Sequence, residues 1–564
     1  MLNEKHGKYF IFNKIFVVVI FLFSLFYFLT TVLGTYNNYS AVPFWDMWNG
    51  YLDFYFRTAS EGWKPWWELH NEHRLVLAKV FFWIDLEYFK GSMVLLFTLN
   101  LVFSALACLT FIVTLNGLVS THINKLLYYA LSGVLIILCF SWLQQENYTW
   151  AFQSQFHMAY LLPLWAVLTL VKSKVENSVF LFFLACILGI FSTVTMANGL
   201  LALPVMISLA IFDRMHWRYV FALFVIMFCM YFMYFIDYTK PVGHPSLFAN
   251  LIDNPKGVIR YFLLYLSGPF YGLYSLSPKL SMAMGGLFIV GCLWVFKYTL
   301  CSKLNSDGEY LKLSGLLAFL VFIGGTALLT SLGRAGYSPN IPSRYMTPAI
   351  LSWCCLLVIF VAIYYERIKD VFISYVALVF FPLILLPIQG KSLATPEHLH
   401  VHKMAAVAAA LGIHDNKIID RVYFDVDRLF RIIEPARNKN ISIFNEKYIK
   451  DIYYFGDKFN LKPSSKCNMY LDKVEEVIGS SEYSRIQGWA FDKNIQKSPD
   501  YIVFVDSNSY VVGFALTGST RNDVAKAIDP LALKSGFLGY VLSDTKMDSD
   551  THIYGVSDEF VCEY

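Results

Sequence analysis

From Ile15 to Leu33 the chain carries no charged residue, and comparable apolar stretches recur near residues 93–116, 126–143, 156–172, 178–195, 198–213, 217–236, 282–300, 313–332, 345–365 and 371–389. A bilayer core about 30 Å thick is crossed by about 20 residues of helix, so each stretch is a candidate span. The pattern predicts an α-helical polytopic membrane protein with about eleven transmembrane helices. The first stretch lacks a small-residue cleavage site and is followed by many others, so it reads as a span and not as a signal peptide. Two further apolar stretches, 75–89 and 258–276, are interrupted, one by Asp85 and Glu87 and the other by Gly268-Pro269. They are expected to be interfacial or re-entrant helices.

Basic residues assign the sides. Lys5, Lys8 and Lys14 precede the first span, and Lys125, Lys172, Lys174, Arg214, Arg218, Lys297, Lys303, Lys312, Arg367 and Lys369 fall in alternate loops. The positive-inside rule then puts the N-terminus in the cytoplasm and the C-terminus outside. Counting either interrupted stretch as a span would turn the basic loops outward.

Past residue 390 the apolar runs stop. Residues 391–462 read as a helical connector, with Ala405–Leu411 a strong helix-forming run. Over 463–564, short apolar stretches at 501–506, 510–514 and 537–541 separated by turn residues predict a small β-sandwich-like domain. Only Cys467 and Cys562 of the ten cysteines lie in this polar region. In an oxidising compartment they are a disulfide candidate, and two unpaired buried thiols are the plain alternative.

Composition agrees with this pattern: the 564 residues are 57% hydrophobic, 18% aromatic and 15% charged, far from the balance of a soluble protein. The net charge of +4 is modest, and neither a basic stripe nor a nucleotide-binding loop is present, so no nucleic-acid partner is expected.

The chemistry concentrates in the first outside loop, residues 35–92. It holds Pro43-Phe44-Trp45-Asp46-Met47-Trp48, Asp53 and His70-Asn71-Glu72-His73-Arg74. An acid between tryptophans is suited to act as a general base on a sugar hydroxyl. A loop acid beside interfacial anchors is the bland reading. His70 and His73 lack the spacing of a helical zinc motif, so Glu72 and the histidines read instead as partners for a polyhydroxylated substrate. On the same predicted face lie Glu146, Asn147 and Gln153, then Asn198, then Lys240, then Arg334, Arg344 and Tyr345. Arginine forks match phosphate oxygens, which makes Arg334, Arg344 and Lys240 candidates for a lipid phosphate.

As a set, Pro-Phe-Trp-Asp-Met-Trp, His-Asn-Glu-His-Arg, Glu-Asn-Tyr-Thr-Trp-Ala-Phe-Gln, Met-Ala-Asn-Gly and a late Ser-Arg-Tyr resemble bacterial GT-C-class membrane glycosyltransferases of the type that modifies O-antigen or related surface glycans. The resemblance covers residues 1–390. It implies an inner-membrane enzyme that takes a sugar from a polyprenyl (undecaprenyl) phosphate donor to a periplasmic glycan acceptor, with inversion. Asp46 would be the catalytic base, with Glu72 and Asp53 its nearest competitors. Trp45, Trp48, Asp53, His70, Asn71, His73, Arg74, Glu146, Asn147, Gln153 and Asn198 would contact substrate, and Lys240, Arg334, Arg344 and Tyr345 the lipid phosphate. A separate donor synthase and flippase are implied as partners. No adjacent acid pair occurs in the first loop, so a divalent cation is compatible with the sequence and not required. The rival readings are an O-antigen polymerase or ligase, and a lipid-linked sugar transporter or flippase. The latter would call for paired broken helices in two repeating halves, which the sequence lacks.

Overall fold

The computed structural model describes residues 2–119, 125–239, 247–304, 309–337, 339–368, 372–545 and 551–564. Lys240 lies outside the described residues. The chain forms two compact units, one of Met1–Tyr39, Glu61–Phe82 and Val94–Ala394, the other of Ser40–Ser60, Trp83–Met93 and Thr395–Tyr564. The first loop is therefore divided: Asp46 and Asp53 belong to the second unit, whereas His70, Glu72, His73 and Arg74 belong to the first.

The first unit is helical. Among the described residues, nine helical stretches are long and apolar enough to cross a membrane: Phe12–Asn37, Val94–Val119, Lys125–Thr149, Ala151–Val175, Trp217–Phe235, Pro278–Leu304, Tyr310–Arg334, Ser343–Tyr365 and Ser374–Leu411. Two shorter apolar helices, Val179–Thr193 and Ala197–Phe212, occupy the remaining expected stretches. The interrupted stretches form the short helices Val76–Tyr88 and Pro255–Leu266, neither of them among the nine.

Several hydroxyls on these helices are satisfied within their own helix, as an apolar solvent demands. Thr98 and Thr110 each donate to the carbonyl four residues back, at 2.8 Å. Gln389 ties the last helix of this unit to the first, donating to Thr30 Oγ1 at 2.8 Å and Thr31 Oγ1 at 3.0 Å, and it also accepts from Trp142 N at 2.8 Å. Large apolar side chains such as Phe180, Phe228 and Leu293 face outward, which suits a lipid environment.

The second unit ends in one eight-stranded sheet. Its strands are β1 (Ser465–Lys466), β2 (Asn468–Glu476), β3 (Tyr483–Phe491), β4 (Tyr501–Val505), β5 (Val511–Ser519), β6 (Gly536–Leu542), β7 (His552–Val556) and β8 (Val561–Glu563). The order is β1-β8-β7-β4-β5-β6-β3-β2, antiparallel except for the β1–β8 pair. This corrects the expected sandwich: the pairing is continuous, so a single curled sheet takes the place of two stacked ones. Met469, Ile486, Ile502, Phe504, Phe537 and Val541 form a core on it. Cys467 and Cys562 are joined as a disulfide with Cα atoms 5.4 Å apart, closing the sheet's β1–β8 edge.

Candidate functional site

In the helical unit, the turn His70-Asn71-Glu72-His73 is closed by paired backbone bonds, His70 N to His73 O at 2.8 Å and His73 N to His70 O at 3.0 Å. Asn71 adopts a left-handed φ of 53°, which asparagine tolerates better than most residues. The turn thrusts Glu72 and His73 toward other helix ends. Glu72 Oε1 lies 3.4 Å from Arg334 Nη2 and 3.8 Å from His73 Nε2. The backbone N–H of Ala197 donates to His73 Nδ1 at 3.2 Å, so in neutral His73 the ring proton sits on Nε2, facing Glu72. The Tyr234 hydroxyl holds the Glu72 carbonyl at 2.7 Å, a partner that nothing in the sequence spacing suggests.

A second acid–arginine pair forms on the same unit. Arg344 Nη1 is paired with Glu146 Oε1, and the Arg344 backbone N–H reaches Glu146 Oε2 at 3.3 Å. Asn147 Nδ2 donates to the Arg344 carbonyl at 2.8 Å and to Thr347 Oγ1 at 2.6 Å. The hydroxyl of Thr347 donates to Gln144 Oε1 at 2.5 Å. Segments 144–147 and 343–347 are thus locked together.

Some expected contacts have other uses. Arg74 is buried; its Nε donates to Tyr234 O at 2.8 Å, and its two other nitrogens donate to the carbonyls of Trp67 and Ile236. Its fork is spent on the fold, which corrects its assignment to substrate. Tyr345 is buried with its ring 5.9 Å from that of Phe156 and 6.1 Å from that of Tyr265, and the Arg344 guanidinium lies 5.4 Å from its ring centre.

The Asp46 segment is built within the other unit. Trp45 takes φ 49°, rare for a bulky side chain, and its N–H is held by the Val422 carbonyl at 2.8 Å. Such strain persists only where neighbours impose it, and it tends to collect at functional positions. Trp45 is exposed and its ring lies 6.2 Å from that of exposed Phe424; Asp46 beside it is half-buried. Trp48 is fully buried, its ring 6.2 Å from that of Tyr423. A wide π-type turn, Trp48–Asp53, follows, with Asn49 Oδ1 accepting from Tyr423 at 2.6 Å and Asp53 Oδ2 3.3 Å from Arg428 Nη2. Tyr51 and the Met93 N–H both donate to buried Asp85 Oδ2, at 2.7 and 3.0 Å, and burial raises that carboxyl above the usual range.

Among the described residues no cluster of three or more histidines, cysteines, aspartates or glutamates has the arrangement of a metal site. No protein-family model, curated protein or solved structure matches the chain.

Proposed function

We propose that the protein is a GT-C-like membrane glycosyltransferase that moves a sugar from a polyprenyl phosphate to a glycan acceptor with inversion. In this reading about eleven helices span the bacterial inner membrane, the N-terminus is cytoplasmic and the C-terminal unit is periplasmic. The observation that carries the reading is the state of two arginines. Arg334 and Arg344 are each aligned by a carboxylate, yet their side chains remain 33% and 28% exposed. A guanidinium held in this way can exchange a carboxylate oxygen for a phosphate oxygen with little reorganisation. The disulfide supports an oxidising location for the C-terminal unit.

The chemistry balances without a further reactant. The acceptor hydroxyl loses its proton to a carboxylate, its oxygen bonds to the anomeric carbon, and the bond from that carbon to the phosphate oxygen breaks. Polyprenyl phosphate leaves with the negative charge, which the arginines stabilise. Asp46 is the acid that the resemblance names as base, and Glu72, a competitor to it, is one of two acids, with Glu146, beside an arginine in the helical unit. Separate Asp46→Asn and Glu72→Gln variants, assayed in nanodiscs with defined polyprenyl-phosphate sugars, decide between them. Loss of the base should slow transfer more than about a hundredfold. Near-normal transfer by both variants would sink the reading.

A further inference from the structure

Gln153 is 1% exposed, and neither its Oε1 nor its Nε2 has a hydrogen-bond partner. The Oδ1 and Nδ2 of Asn198 are buried and unpartnered as well. Each unmet buried polar group costs about 1–3 kcal/mol, so four on two side chains is a large burden for the fold alone to carry. Among the described residues, single buried amide oxygens such as Asn147 Oδ1 are unpartnered elsewhere, but only Gln153 and Asn198 have both atoms of a buried amide unmet.

The residues that precede the two amides, Phe152 and Ala197, meet one feature. The His70–His73 turn touches the Gln153 side through the His70 ring, 5.3 Å from that of Phe152, and the Asn198 side through the bond from Ala197 N to His73 Nδ1. Phe152 itself belongs to a short aromatic stack, 5.1 Å from Phe82 and 5.7 Å from Trp150. Buried amides offering both donors and acceptors beside stacked rings match a sugar, whose hydroxyls donate and accept and whose C–H face is apolar. The amides carry no charge, and Glu72, on the same turn as His70 and His73, would repel a uronate carboxylate. That balance favours a neutral ring over a uronate.

We propose that Gln153 and Asn198 read the hydroxyls of a neutral sugar ring on the lipid-linked donor, with Phe152 and its stacked neighbours as the apolar wall. This rests on the glycosyltransferase reading and narrows its substrate class.

The test uses full-length protein in nanodiscs and three probes: farnesyl phosphate, its glucose conjugate and its glucuronate conjugate. Binding is followed by calorimetry. The glucose conjugate should bind at least about tenfold tighter than the bare lipid phosphate, about 1.4 kcal/mol, and the glucuronate conjugate should show no such gain. Gln153→Leu and Asn198→Leu should each erase the gain and leave affinity for farnesyl phosphate unchanged. Neither leucine variant should melt below wild type, because each removes an unmet buried amide. Equal binding of the bare and glucose-bearing lipids, or an intact preference in both variants, overturns the subsite while the phosphate reading stands. If farnesyl phosphate fails to bind, or binds equally to wild type and Arg344→Ala, the glycosyltransferase reading fails and takes the subsite with it.

Discussion

Replacing Arg485 with methionine should cost the second unit about 3–5 kcal/mol. The side chain is 4% exposed, and its Nη1 spans both oxygens of Asp415, at 2.9 and 2.7 Å, while Asp415 itself is 1% exposed. Tyr540 donates to Asp415 Oδ2 at 3.0 Å, so one hydrogen bond would remain, but the carboxylate would be left buried without its counter-charge. The second arm, Arg485 Nη2 to Glu475 Oε2 at 2.9 Å, ends on a side chain 23% exposed and adds at most about 1 kcal/mol. For a unit of this size the sum, about 3–6 kcal/mol, lowers the melting point by roughly 6–24 °C. Thermal unfolding of the full chain in nanodiscs, followed by tryptophan fluorescence and by protease cleavage within 463–564, reads the shift. Adding Asp415→Leu to Arg485→Met should restore most of the loss, because the uncompensated charge goes with it. A single variant that melts within about 1 °C of wild type, or a double variant no better than the single, would refute the reasoning. The stretch around Asp415 joins two halves of its unit, since Val422 and Tyr423 just beyond it hold Trp45 and Asn49. Hydrogen exchange at 44–53 should therefore rise in Arg485→Met.

Serine at Cys467 and Cys562 should lower the stability of the sheet by about 4–5 kcal/mol, since the crosslink bridges a sequence separation of 95, and reduction of wild type should reproduce the loss. Gly199→Ala would set a Cβ 1.7 Å from the Ser192 carbonyl oxygen, so the backbone next to Asn198 must move. The expected cost is at least about 1–3 kcal/mol, read as a lower melting point together with loss of the sugar-dependent binding gain. Bonds from Lys473 first and Arg485 second hold the Glu475 carboxyl down at about 2, below its usual 4.5. The stability it gives is present above pH 4.5 and is lost as pH falls toward 2, and Glu475→Gln should flatten that part of the melting profile. Asp85 has the opposite sign: burial raises its carboxyl above 3.8, so its contribution is full at lower pH and declines as pH rises through the raised value. Asp85→Asn should remove that decline in the melting profile.

The long uncharged runs were readable because lipid-facing and core-facing positions are both apolar, so each helix announces itself without knowledge of its neighbours. The sheet was half readable. β4, β5 and β6 are apolar along most of their length, whereas β2, Asn468–Glu476, is an outer strand with many exposed positions and charges at Asp472, Lys473, Glu475 and Glu476. A strand that packs on one side only loses the signal that a buried strand carries. The site was legible as residue types and not as pairings. Arg334 and Glu72 are 262 positions apart and Arg344 and Glu146 198 apart, distances over which no local periodicity speaks. Asp85 and Glu87 looked like interruptions of an apolar helix; they are anchors, accepting from Tyr51 and from Tyr55 at 2.6 Å.

The same pairings change how Asp46 is to be weighed. Crowding of acids and imidazoles in one loop suggested a single wall, but the loop's two halves build different units, each with its own partners. Glu72 owes its setting to Tyr234, His73 and Arg334, all in the helical unit. Asp46 owes its setting to the strained Trp45 and to Val422, in the unit that carries the sheet. A lesion in the sheet, such as Arg485→Met, should then disturb Asp46 while leaving the Glu72–Arg334 pair and farnesyl phosphate binding intact. If transfer collapses in that variant while phosphate affinity holds, the base is Asp46; if transfer survives a loosened 44–53 segment, Glu72 is the acid that takes the proton.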